Sequence, residues 1–230
     1  NSFVGVYDYV NQLDEQWLGF GTGYSVSDKM GIGATLFGSY RGQSYQLTNY
    51  VREVNEKNAG YTYATKNNDE AVKYYNIRLL AKFGLSYVSG NWKSGITLTT
   101  PSLSIYGTGS VQREVSYITV SEDQNDMRNN FIIMDRKSDV KAGYKHPLSI
   151  SLGVDYHISK TRLAFTAEYF SHINAYYLMK PEAEPFVYPP ELLDSVNLKP
   201  VIDGFLMVEN SAKPVFNVAV GLNQVIYKQL

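Results

Sequence analysis

The chain has 230 residues, no cysteine, and 21 basic against 22 acidic side chains, for a net charge of −1. That balance excludes a broad basic surface for nucleic acid. The missing cysteine removes disulfides, thiolate nucleophiles and Cys-ligated zinc, and no apolar run approaches the ~18 residues of a membrane helix. Charged residues make up only 19%, while 20 tyrosines and 18 glycines stand beside 8 prolines, which points to β structure. Residue 1 is Asn, and Phe216–Leu230 reads as a strand without a closing turn signal. A single β-barrel domain over residues 1–230, the middle section of a longer chain, is the expected organisation.

Period-two alternation runs through the sequence. Leu18, Phe20, Tyr24 and Val26 alternate with Gly19, Gly21 and Gly23, and a Ser27-Asp28-Lys29 turn follows. Met30, Ile32, Ala34 and Leu36 then alternate with Gly31, Gly33 and Thr35. The charged stretch 51–73 is expected to be a long loop. Beyond it, Tyr75, Ile77, Leu79, Ala81, Phe83, Leu85 and Tyr87 form one apolar stripe, opposite Asn76, Arg78, Lys82, Gly84 and Ser86. Strands send successive side chains to opposite faces, so one face is greasy and the other wet.

After a Ser89-Gly90-Asn91 turn, Trp92, Ile96 and Leu98 continue the stripe, and residues 121–141 form a second charged loop. Leu148 to Tyr156 and Leu163 to Tyr169 flank an Ile158-Ser159-Lys160 turn. Residues 174–214 hold six of the eight prolines, with one further strand expected over 201–208, and Phe216 to Leu222 alternates again. Tight turns with Gly, Asn and Asp suit antiparallel hairpins. Short turns on one side and long loops on the other match an outer-membrane barrel.

A soluble barrel alternates too. Three features favour the membrane type: a wet face of Gly, Ser, Thr and Asn with sparse charge, runs near the ten residues of a tilted membrane strand, and aromatic residues near strand ends. Those aromatics are Trp17, Tyr24, Tyr40, Tyr45, Tyr87, Trp92, Tyr156, Tyr169 and Tyr227, in the place of interfacial girdles. The expected fold is therefore an all-β, antiparallel transmembrane β-barrel with its apolar stripe facing lipid.

Three stretches resemble the outer-membrane hydrophobic-compound transporters of the long-chain fatty-acid transporter family. They are the glycine-rich hairpin from Leu18 through Ser27-Asp28-Lys29 to Thr35, the Trp92-Lys-Ser-Gly run leading to Pro101, and Tyr144-Lys-His-Pro147 entering a Gly153-Val154 strand. The resemblance implies a fourteen-stranded barrel of the bacterial outer membrane, plugged by an N-terminal hatch, that passes hydrophobic molecules by diffusion. It implies no nucleotide, metal or other cofactor. Its partners would be a hydrophobic ligand, membrane lipid and lipopolysaccharide, with a monomeric state. The chain departs from the pattern, with about eight visible strands and no complete hatch, so an eight-stranded closed barrel is the fallback. A structural or adhesive barrel with binding loops, or a soluble β-barrel lipid binder, are the alternatives.

Arg78 and Lys82 share a strand face about 13 Å apart, a spacing that suits a lumen cation pair drawing a carboxylate. Ordinary salt bridges to Glu168 or Asp155 would use them otherwise. Phe37, Leu80 and Phe170 are apolar on the wet face and could line a greasy lumen patch or pack against a plug. Pro101 interrupts one strand and Pro147 begins another. Proline removes a ladder donor, so each marks either a lateral opening or a strand-end bulge. The stretch 180–200 is expected to cap the mouth or to form a surface loop. His146, His157 and His172 lack metal-ligand spacing, and neither a Gly-x-Ser-x-Gly elbow nor a phosphate loop occurs. Enzymatic chemistry, a lipase using His157 included, has little support.

Overall fold

The computed structural model describes residues 2–57, 60–120, 130–191 and 202–225. Their architecture is a curled antiparallel sheet, an open half-barrel. The strands in chain order are β1 (Ser2–Ser27), β2 (Met30–Lys57), β3 (Gly60–Ser89), β4 (Trp92–Thr99), β5 (Leu103–Val120) and β6 (Phe131–Lys141). They are followed by β7 (Ser149–Ile158), β8 (Thr161–Phe170), β9 (Ile173–Met179), β10 (Phe186–Tyr188), β11 (Val208–Ala212) and β12 (Val215–Gln224). Two-residue turns at Asp28-Lys29, Gly90-Asn91 and Ser159-Lys160 close one end. Gly90 and Ser159 take φ of 55° and 54° there, the left-handed dihedrals that tight hairpins require.

At the short-turn end seven strands lie side by side, β1-β2-β3-β4-β7-β8-β12. Farther up, β3 pairs instead with β5, then β6 and β10. One strand has been split in two twice over. β4 and β5 are successive halves separated at Pro101, and β6 and β7 are halves separated by residues 142–148, which include Pro147. The two breaks face each other. Ser102 N donates to His146 O at 3.2 Å, and His146 N donates to Ser102 Oγ at 2.8 Å. Each proline lacks the N–H its ladder position would use, so both strands lose register at one level.

Several loop expectations are corrected. Residues 51–57 and 60–73 are strand: the β2–β3 ladder runs unbroken from Met30↔Tyr87 to Lys57↔Gly60. Pairing satisfies the backbone of this stretch whatever its side chains, so charge accompanies strand here as readily as a loop. Within 121–141, Phe131–Lys141 is β6, and 174–214 contains β9, β10 and β11; residues 121–129 and 192–201 fall outside the described residues. Within 202–208 a helical turn, with Phe205 N donating to Ile202 O at 3.1 Å, replaces most of the expected strand. The eight-stranded closed barrel is also corrected. β1 and β12 are open edges among the described residues. Both run toward the short-turn end, since β12 is antiparallel to the outgoing β8.

The buried core lies on the inner face of the upper sheet, where β9, β11 and the 202–206 turn pack against β3 and β5. Val72, Tyr74, Val111, Ile133, Met179 and Leu206 form its centre. Glycine allows this close approach. A Cβ on Gly109 would sit 2.5 Å from Lys73 O and 2.9 Å from Met179 Sδ, and one on Gly107 would sit 2.1 Å from Ala142 O. Backbone cannot move aside as a flexible side chain can. Gly107→Val is therefore expected to lower stability by about 1–3 kcal/mol, measured by urea unfolding of the purified chain. Gly153→Val, whose Cβ meets nothing within 4 Å, should leave stability near that of the wild type.

Candidate functional site

The alternation becomes two chemically distinct faces. Ile77, Leu79, Phe83, Ile150 and Phe165 all lie on the exposed outer face, and Phe20 and Val220 are 83% and 79% exposed. The register aligns them across strands: Leu36↔Ala81, Phe83↔Leu98, Ile96↔Leu152, Val154↔Phe165 and Phe165↔Val220. Aromatic rings border this band. Near the short turns Trp92 stacks on Tyr156 with centroids 4.3 Å apart. At the other border Tyr40, Tyr75 and Tyr106 form a row with centroid spacings of 6.2 and 5.9 Å. Two expected girdle members belong elsewhere. Trp17 and Tyr45 sit on the inner face, and Tyr40 lies mid-strand because β2 continues far beyond the band. Tyr227 is outside the described residues.

The inner face carries the candidate site. Arg78 is fully buried and pairs with Glu15 through a short contact to Oε1. Glu15 Oε2 also accepts from Arg41 Nη1 at 2.7 Å, and Oε1 accepts from Trp17 Nε1 at 2.7 Å. Arg41 donates further to Tyr74 Oη at 3.2 Å and to Gln43 Oε1 at 3.0 Å. Tyr144 lies against both guanidinium groups, 4.0 Å from Arg41 and 4.9 Å from Arg78. Lys82 Nζ stands 5.4 Å from the Phe37 ring and 5.9 Å from Trp17. His146, in the break between β6 and β7, meets Trp17 edge-on at 5.8 Å.

Two guanidinium groups thus share one carboxylate, and Lys82 stands against the neighbouring aromatic rings. Arg78 Nε and Nη1 are buried without a hydrogen-bond partner, so the guanidinium adds positive charge to this face from behind the surface. The cluster is built by strand parity: Glu15, Trp17 and Gly19 share one face of β1, and Arg78, Leu80 and Lys82 share one face of β3. Gly19 makes room for Phe37, whose ring comes within 2.5 Å of where a Cβ would stand.

The structure brings together Arg78, Lys82, Phe37 and the buried Leu80. It does not bring in the others. Asp155 pairs with Arg162, and Glu168 accepts from Ser151 Oγ at 2.9 Å, so neither neutralises Arg78; the partner is Glu15. Phe170 ends β8 between Ser149 and Val215. Pro101 and Pro147 mark the paired breaks beside the cluster. Glu15, Arg41 and Tyr144 were missed because the contacts that join them cross 26 residues and more of sequence. Alternation alone could have assigned Glu15 to the glycine face of β1. Among the described residues, no group of three His, Asp or Glu could hold a metal, and no helix is long and apolar enough to cross a membrane.

Above the band, Tyr45 donates to Glu70 at 2.8 Å. Burial first, and then the Glu70 charge, push its phenol pKa above the ordinary tyrosine value. An acid whose pKa is raised in the folded chain loses stability as pH rises past its unfolded value, about 10. Tyr45→Phe is therefore expected to soften the alkaline fall in stability above about pH 10, followed by unfolding midpoints across that range. No family model, curated protein or solved structure matches this chain.

Proposed function

We propose that the chain forms part of the wall of a bacterial outer-membrane β-barrel that conducts hydrophobic small molecules with an acidic head, long-chain fatty acids foremost. The observation that carries this reading is the cation surplus on the inner face, set in aromatic rings behind a continuous apolar outer band. At roughly 3.4 Å per residue, the stretch from Tyr75 to Tyr87 is about 40 Å long. A barrel tilt near 45° reduces that to about 28 Å, close to the ~25 Å apolar band of such barrels. In hydrocarbon every backbone group must be satisfied internally, and among the described residues the long antiparallel ladders supply this along the strands, apart from the free edges and the break at Pro101 and Pro147.

The carboxylate of the ligand would dock at the half-buried Lys82, in the positive field of the buried Arg78, while its chain lies along Trp17, Phe37 and Leu80. The break at Pro101 and Pro147 lies beside that position, held by two hydrogen bonds between Ser102 and His146. Parting them would open a lateral path through the wall with little loss of ladder.

The test is oleate binding to the detergent-folded chain. Lys82→Gln should weaken oleate about 10- to 100-fold, the worth of one charge-assisted hydrogen bond, and should leave oleyl alcohol unchanged. Equal loss for acid and alcohol would reject a carboxylate at this site. A chain that partitions into detergent-free buffer with no heat-modifiable migration would reject the membrane setting.

A further inference from the structure

The outer face holds a second cleft that this transport reading does not use. It lies immediately beyond the tyrosine row, on the side away from the apolar band, and encloses about 450 Å³. Register places Asp14, Gly42, Tyr75 and Thr108 in one cross-strand row, with Gln12, Ser44, Lys73 and Ser110 in the next row outward. Gly42 leaves a gap in the first row. Tyr40 leans across it from below, so that a Cβ on Gly42 would lie 3.2 Å from Tyr40 Oη. The phenol therefore points away from the apolar band toward the polar rows, as an amphipathic ring does at an interface. Asp139 closes the far side from β6, held at φ 58° where β6 slips register against β5.

We infer that this cleft binds the sugar headgroup of a glycolipid in the surrounding leaflet; the inference rests on the membrane reading above. The neighbouring Tyr40 and Tyr75 rings, inclined at 27°, offer apolar faces to the C–H side of a pyranose. Asp14, Asp139 and Ser110 offer acceptors to its hydroxyls, and Lys73 and Gln12 offer donors. In the cleft lining two carboxylates stand against one ammonium, with Lys141 outside it beyond Thr108, and the carboxylates would repel a phosphate. The position matters as much as the chemistry. A lipid whose acyl chains lie on Ile77 and Leu79 carries its headgroup at the level of Tyr75 and Gly42.

The full chain is tested in nanodiscs of phosphatidylcholine doped equally with monoglucosyl diacylglycerol and phosphatidylglycerol, and the lipids retained after mild detergent extraction are counted by mass. The wild type should enrich the glucosyl lipid about fivefold over phosphatidylcholine, the worth of one or two hydrogen bonds. Gly42→Val, which drives Tyr40 into the cleft, should abolish the enrichment. The Asp14→Asn/Asp139→Asn double variant should do the same without changing side-chain volume. Preference for phosphatidylglycerol, or enrichment that survives both variants, overturns the assignment. Equally tight binding of soluble maltose transfers the site from lipid to free sugar and overturns it as well. A chain that enters nanodiscs without enrichment fails this inference alone, whereas one that never leaves the aqueous fraction fails the membrane reading too.

Discussion

Glu15→Gln should destabilise the chain by about 3–5 kcal/mol, because it leaves a buried guanidinium without its counter-charge. Arg78 is fully buried and two of its three nitrogens already lack partners. Glu15 is what makes that burial tolerable, and it serves Arg41 and Trp17 at the same time. The loss is read as a fall in the urea midpoint at constant slope. The companion Glu15→Gln/Arg78→Met removes the uncompensated charge together with its partner and should recover most of the loss, since replacing both members of a buried pair is often near neutral. If Glu15→Gln alone is neutral, Arg78 is hydrated and the anion site loses its basis.

The second large effect separates a lipid-facing surface from a water-facing one. Phe83→Arg places a charge within the apolar band. In a bilayer this should cost about 2–4 kcal/mol and block membrane insertion, scored by heat-modifiable migration after folding into vesicles. The inner-face substitution Ser86→Lys, three residues nearer the short turn on the same strand and on the opposite parity, should fold normally. On a soluble barrel the order reverses: Phe83 is already 49% exposed, and arginine there would improve solubility at no cost.

The outer band was legible in the sequence because period-two alternation needs only local order. Once Ile77 and Leu79 point one way, Arg78 must point the other. The tight turns were legible for the same reason, as were the two prolines that break strands. Register was not legible. The inner-face charge cluster joins Glu15 to Arg78 across β2, and no local pattern fixes which residue of β1 faces which residue of β3. Strand length was misjudged where polarity was taken for looseness. Thr48 to Lys57 carries Arg52, Glu53 and Glu56, yet pairs residue for residue with β3. Its alternation is erased because neither face there is selected for apolarity. The core around Phe205 and Leu206 depends on a turn folding back over distant strands, which composition cannot place.

The parallel sense of the two free edges restricts what can complete the cylinder. Placing β12 beside β1, whether from one molecule or from identical molecules inserted with the same polarity, would create a seam with slanted, weaker hydrogen bonding. Two copies could avoid that seam only by pointing their hairpin tips in opposite directions. Any all-antiparallel closure of a uniformly oriented ring must place an odd number of additional staves at each seam.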